Sequence, residues 1–299
     1  MCRLRKTRRF AAFIFVYIAA SIYHAAAAAP EAAKRPIWRI QSQTNVVYLM
    51  GSIHYLKPQN YPLDPAIESA FKDAKTVVFE MDLDSTKGDE AQHLLVAKAA
   101  YPDKTTLQQH VSENTYQLTA DKLNQLGLNI ELFKAFKPWF VANMIIARSM
   151  QTLGFDPAYG VDHYFFRKAK DANKKTVALE TFENQLDVLN KMPDFVQDLM
   201  LMQTVRTSDT MRAGVNTIVK AWSAGDLKTL DAALLQGMRE YPEVYQRVIV
   251  ERNRTWLPKI RAYLKENENY LVIVGAGHLA GREGLVEALK AQGYTVEQL

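Results

Sequence analysis

Two short motifs carry the residue types that do chemistry. Gly51-Ser-Ile-His54 and Gly275-Ala-Gly-His278 each set an imidazole three residues after a glycine, at the end of an apolar run. Glycine lets a chain turn sharply as it leaves a strand, and ligands gather beyond the carboxyl ends of parallel strands. One histidine in that position is usually just a satisfied polar residue, whereas two in matching contexts point to a shared site. Glu80 joins them, because Thr76-Val-Val-Phe79 reads as a buried strand that delivers Glu80-Met-Asp82 at its end. A buried carboxylate must be paired, metal-bound or protonated. A strand-end salt bridge or a helix cap is the alternative for Glu80 and Asp82. Two imidazoles and a carboxylate with an open position hold zinc, manganese or a similar divalent ion and activate water. The expected ligands are His54, Glu80 and His278.

The elements that must position these groups follow from the pattern. Trp38 to Gln43 and Val46 to Met50 read as strands around a polar turn, and Asp64-Pro65 as the N-cap and first position of a helix bearing Ile67, Ala70, Phe71 and Ala74. Thr76 to Phe79 closes the unit as a strand. Helical periodicity then dominates residues 88–265, interrupted by a buried strand at 176–180, with breaks expected at Pro193, Gly225, Pro242 and Pro258. Tyr270 to Val274 is a further strand, Gly281 to Gln292 a helix, and Tyr294 to Glu297 a closing strand. Both Gly-x-x-His copies are thus followed by a helix and another strand. The fold class is α/β (α+β), a mixed sheet built from two related β-α-β halves with a large helical insertion.

In this order the chain resembles the TraB/GumN family, relatives of the Tiki proteases. The resemblance rests on Gly51-Ser-Ile-His54, Val77-Val-Phe-Glu80, Gly160-Val-Asp162, Leu179-Glu-Thr181 with Gln185, Arg252-Asn253 with Trp256, and Gly275-Ala-Gly-His278-Leu-Ala-Gly281. It covers Trp38 to Leu299 and is similar also to erythromycin esterase and ChaN-like folds. It implies a metal-dependent peptidase site at His54, Glu80 and His278, with Gly51 and Gly277 in the turns and manganese or cobalt in support. At the matched positions, Asp162 opens a helix and orients His54 or His278 through an imidazole N–H, or caps the helix. Glu180 is a further ligand or a general base. Arg252 and Asn253 bind a substrate carboxylate or an oxyanion, or else Arg252 pairs with Glu180 or Asp162. His163 is a reserve ligand, and His93 and His110 read as surface residues.

The N-terminus sets the compartment. Arg3, Arg5, Lys6, Arg8 and Arg9 precede an apolar run from Phe10 and the small-residue stretch Ala25 to Ala29, the layout of a secretory signal over residues 1–29. The expected location is secreted or periplasmic, with no stable membrane anchor after cleavage. Five of the 37 basic residues lie before residue 10, leaving 32 basic against 32 acidic, so composition gives no case for nucleic-acid binding. The only cysteine, Cys2, leaves with the leader, so any metal must be held by nitrogen and oxygen.

Residues 36–299 read as one domain. No HExxH, Gly-x-Ser-x-Gly or Walker pattern occurs, which removes support for zincin, serine-hydrolase and nucleotide-binding routes. The favoured function is an exported hydrolase of peptide or amide bonds using a divalent ion (Mn, Co or Zn), acting on an unknown peptide or small-molecule substrate. A metal-free variant with one histidine as base stays open. So does a non-catalytic binding protein for a metal, haem or peptide, using the same site.

Overall fold

The computed structural model describes residues 34–299; the signal segment expected over 1–29 lies outside them. Six strands form one mixed sheet: β1 (Ile37–Gln41), β2 (Val46–Ser52), β3 (Thr76–Phe79), β4 (Lys175–Ala178), β5 (Tyr270–Gly275) and β6 (Val296–Gln298), in the spatial order β4-β3-β5-β2-β1-β6. β2, β5, β3 and β4 run parallel to one another, while β1 pairs antiparallel with both β2 and β6.

The central strand shows why this order is stable. β5 is flanked by β3 and β2, and its side chains alternate between two apolar clusters. Leu271 and Ile273 join the larger core beneath the helical insertion, whereas Tyr270, Val272 and Val274 join a second core on the opposite face. A strand covered on both faces needs an unbroken apolar run, which Tyr270-Leu-Val-Ile-Val supplies. Trp256 and Ile260 from helix Glu251–Tyr263, with Leu285, Val286 and Leu289 from helix Leu285–Ala291, cover the second face.

The helix after β2 spans Pro65–Asp73, and its Asp64 cap accepts from the Ala66 N–H at 2.9 Å, as the Asp64-Pro65 pair suggests. Between β3 and β4 lie helices that include Gly88–Ala99, Glu113–Gln125, Pro138–Thr152 and Val161–Asp171. Between β4 and β5 come Phe182–Asn190, Asp194–Thr207, Met211–Ser223 and two helical runs, 227–239 and 242–263, separated just before Pro242 as expected.

Three local expectations are corrected. Pro258 lies inside helix Glu251–Tyr263 instead of ending it. Pro258 and Arg254, the residue whose carbonyl a helical N–H at 258 would bond, are both exposed, where a missing helix bond costs less than in a core. The last helix begins at Leu285, not at Gly281, which takes φ +77 in a turn that a helix cannot contain. The strand after the second motif runs antiparallel on β1 at the sheet edge, while the strand after the first runs parallel beside β5. The likeness of the two halves therefore ends at the glycine-histidine turns.

Candidate active site

The carboxyl ends of all four parallel strands meet at one edge of the sheet. His54 follows β2, Glu80 follows β3, Glu180 follows β4 and His278 follows β5. Pairing fixes their level: Ser52 lies opposite Gly275, and the Glu180 N–H donates to the Glu80 carbonyl at 2.8 Å. A Cβ placed on Gly275 would lie 3.3 Å from Glu80 Oε1, 3.6 Å from His54 Nε2 and 3.7 Å from His278 Cδ2. These three side chains therefore converge on the spot that Gly275 leaves open.

The imidazoles are held differently. His54 Nδ1 lies 2.7 Å from Asp162 Oδ2, in the first turn of helix Val161–Asp171. That helix starts tightly against the His54 turn: a Cβ on Gly160 would collide with the His54 carbonyl, and the Val161 N–H donates to the Ile53 carbonyl at 3.0 Å. A carboxylate at Nδ1 makes that nitrogen the donor and turns the Nε2 lone pair toward the site. Burial works against a charge on His54, but the Asp162 charge and hydrogen bond outweigh it and raise its pKa.

His278 sits in the 3-10 turn Ala276–His278. Its Nδ1 is 2.8 Å from Asn253 Oδ1, and its Nε2 is 2.9 Å from Arg252 Nη1. A guanidinium only donates, so Nε2 accepts and Nδ1 carries the proton. Burial and the Arg252 charge push the His278 pKa down to about 3, which keeps the ring neutral.

Arg252 is the hub. One guanidinium donates to Glu80 Oε2 at 2.6 Å, to Glu180 Oε1 at 2.7 Å and to His278, with its plane over the Trp256 ring. Helix Glu251–Tyr263 explains the placement, since Arg252, Trp256 and Ile260 recur every four residues on its buried face. Burial would raise the Glu80 pKa, but Arg252, the two imidazoles and the Gly275 N–H, 2.7 Å from Oε1, bring it to about 2. Asn253 donates to the His278 and Glu283 carbonyls, locking the turn.

The expected site residues are thus sorted by position. His54, Glu80, Arg252, His278 and Gly277 line a mostly apolar cavity of about 100 Å³. Gly51 lies within β2 with its carbonyl held by the Trp222 indole at 2.7 Å, and a Cβ there would press on Ala276 Cα at 3.2 Å. Asp162 orients His54 rather than His278. Glu180 stays behind Arg252, bonded to it and to the Trp256 indole at 3.2 Å, and faces a separate surface pocket. His163 lines neither pocket. His110 is partly buried, stacked on Tyr101 and bonded to Asp194 at 2.8 Å, while His93 is exposed as expected. Gln185 is an addition to the set, donating to Glu80 Oε2 at 3.1 Å. The sequence marked it only as one of the residues carrying the family resemblance, without a role; its place on the apolar stripe Phe182, Gln185, Leu186, Leu189 is the signal for a buried partner.

The donor types suit a divalent ion, but the arrangement does not. Arg252 occupies the Nε2 lone pair of His278 and one oxygen of Glu80, and its charge opposes a cation between them. Among the described residues no group of three His, Cys, Asp or Glu side chains is set to hold a metal.

Comparisons with known proteins place this geometry in context. The chain is 27% identical to the uncharacterized protein YbaP of Escherichia coli (strain K12), over 81% of this chain and 87% of that one. It is 25% identical to metalloprotease TIKI2 of Xenopus tropicalis and 24% identical to metalloprotease TIKI1 of Danio rerio, each over 84% of this chain but only 57% and 60% of the relative. No solved structure matches. The match to the family itself runs over residues 36–298, from the first strand to the last, and the chain belongs to the TraB/PrgY/gumN family.

Proposed function

We propose that the chain is a hydrolase of peptide or amide bonds in which His54 activates the attacking water. The observation that carries this is the His54–Asp162 pair, which leaves the His54 Nε2 lone pair facing the cavity beside a buried guanidinium. A base with this orientation takes a proton from water as the oxygen attacks the carbonyl, then returns it to the leaving amine. Asp162 fixes the tautomer and stabilises the imidazolium that forms. Arg252, already held by two carboxylates, supplies positive charge near the developing oxyanion. Neutral His278 accepts from Arg252 and so sets the angle of the guanidinium.

The names of the Tiki relatives, metalloproteases at about a quarter identity, support the peptidase reading and a divalent ion such as Mn, Co or Zn. Arg252 opposes that ion in the present arrangement, so no step is assigned to it. The same proposal includes export by the N-terminal signal and a periplasmic or extracellular peptide or small-molecule substrate. Among the described residues no helix is long and apolar enough to cross a membrane.

The test is cleavage of a peptide library by the purified mature chain, first with chelator and then with Mn, Co or Zn returned. Cleavage that disappears in His54→Ala supports the proposal, and cleavage undiminished in that variant sinks it. Activity that survives chelation assigns water activation to His54 alone; activity that returns only with metal requires Arg252 to withdraw. Fractionation of cells expressing the full chain tests export.

A further inference from the structure

The cavity beside His54 has one polar edge and a long apolar wall, and the wall has an unusual origin. Two π-helical turns, Asp231–Leu235 and Gln246–Val250, lie one in each of the helical runs 227–239 and 242–263. A π turn widens a helix by one residue and recurs at functional sites. Leu234 and Leu235 from the first turn and Val248 and Ile249 from the second all line the cavity, and Arg252 follows one turn later. The second of these runs thus supplies both part of the wall and the guanidinium.

Gly277 is where wall and catalytic turn meet. A Cβ there would stand 3.3 Å from Leu235 Cδ2 and 3.8 Å from Ile249 Cδ1. The missing side chain keeps the space between the wall and the His278 turn open. The whole cavity amounts to about 100 Å³, whereas a cavity of about 150 Å³ accepts benzene. An aliphatic side chain of three or four carbons fits, and an indole does not. No charged or amide side chain lies on the wall formed by the two π turns, so a polar substituent would lose its hydration without compensation.

We propose that this wall is the specificity pocket of the site and receives an aliphatic side chain of leucine, isoleucine or methionine size, on the residue flanking the bond to be cleaved. The reference to cleavage rests on the hydrolase reading above; the pocket's selectivity does not. Leu235 and Ile249 are its specificity-determining residues.

Two measurements separate the pocket from the chemistry. Calorimetric titration of the mature chain with N-acetyl-leucinamide, N-acetyl-alaninamide and N-acetyl-tryptophanamide reads the pocket directly. The leucine amide is expected to bind at least about tenfold more tightly than either of the others, the discrimination that methylene groups gain in an apolar pocket. Leu235→Phe fills the space and abolishes that preference, while Ile249→Ala enlarges it and admits the tryptophan amide. The second variant keeps the test open if the first fails to fold, as thermal melting will tell. Equal affinity for the leucine and alanine amides overturns the pocket, as does an unchanged preference in Ile249→Ala. Mass spectrometry of library cleavage products is the other measurement. Cleavage without aliphatic preference overturns the pocket and leaves the hydrolase; leucine-selective binding without cleavage under any metal keeps the pocket and removes the hydrolase.

Discussion

At the end of β2, His54 gives its Nδ1 proton to a carboxylate and keeps its Nε2 free; at the end of β5, His278 gives its Nδ1 proton to an amide and its Nε2 to a guanidinium. The motifs look alike in sequence, yet their second contacts have opposite charge. The Asp162 side raises the pKa of His54, and the Arg252 side, with burial, lowers that of His278 to about 3. Neighbouring titratable groups whose environments push their pKa values apart divide acid-base roles between them. On the proposed reading His54 is the proton carrier and His278 a neutral prop for Arg252.

The sharpest way to break this division is to remove each imidazole in turn. His54→Ala should lower kcat/KM by about 10²- to 10⁴-fold, the usual contribution of a positioned general base. His278→Gln, whose amide accepts from Arg252 and donates to Asn253, should retain far more activity. Equal losses would mean that both rings do the same job. The next largest effect is on stability. Arg252→Met strands Glu80 and Glu180 as buried charges and should cost about 3–5 kcal/mol in denaturant unfolding. Adding Glu80→Gln and Glu180→Gln to Arg252→Met should recover most of that loss, because the penalty lies in the unpaired charges and not in the lost contacts.

How much of this was visible beforehand depends on sequence distance. The strands announced themselves as apolar runs, and the helix at Pro65–Asp73 through its Asp64-Pro65 start, because both signals are local. The Gly-x-x-His turns and Glu80 were equally local. The Arg252 hub was legible only in part: its pairing with Glu180 stood among the readings of that position, but its bond to Glu80, 172 positions away, lies beyond any spacing rule. Which oxygen or nitrogen Arg252 takes decides between a metal-like cluster and an ion-paired one, so residue types alone left that choice open. The π turns were hidden for another reason. Their apolar residues Leu234, Leu235, Val248 and Ile249 line the cavity, and at that spacing they read the same as an ordinary helix. Pro258 departs from the helix-ending rule because its helix position is exposed and the missing bond is not buried.

A smaller effect sharpens the role of Asp162. Asp162→Asn keeps a hydrogen-bonding side chain at His54 Nδ1 but removes the charge. Turnover should fall by about tenfold to a hundredfold, the usual cost of losing a group that orients an imidazole. The low-pH limb of kcat/KM should move to lower pH, because the charge that raises the His54 pKa is gone. A fall in turnover with no movement of that limb would make Asp162 a helix cap and nothing more.

The smallest effect separates the two histidines without any substrate. Unfolded His278 takes up a proton near pH 6.5, and the folded ring does not until about pH 3. The unfolded state therefore binds more protons across that interval, and stability falls as pH drops through it, by at most about 1.4 kcal/mol per pH unit. His54 acts in the opposite sense. Its raised folded pKa gives a contribution fully present below the unfolded value and lost as pH rises through the folded one. Glu80, lowered from 4.5 to about 2, loses its contribution only between those values and so stays out of the window from pH 6.5 to 5. In that window Tm should fall with acid in the unmodified chain and fall less, or rise, in His278→Gln. In Asp162→Asn it should fall more steeply, because the opposing contribution of His54 has been removed. An acid slope unchanged by His278→Gln would show that the ring is protonated in the folded state, and the contrast between the two turns would be lost.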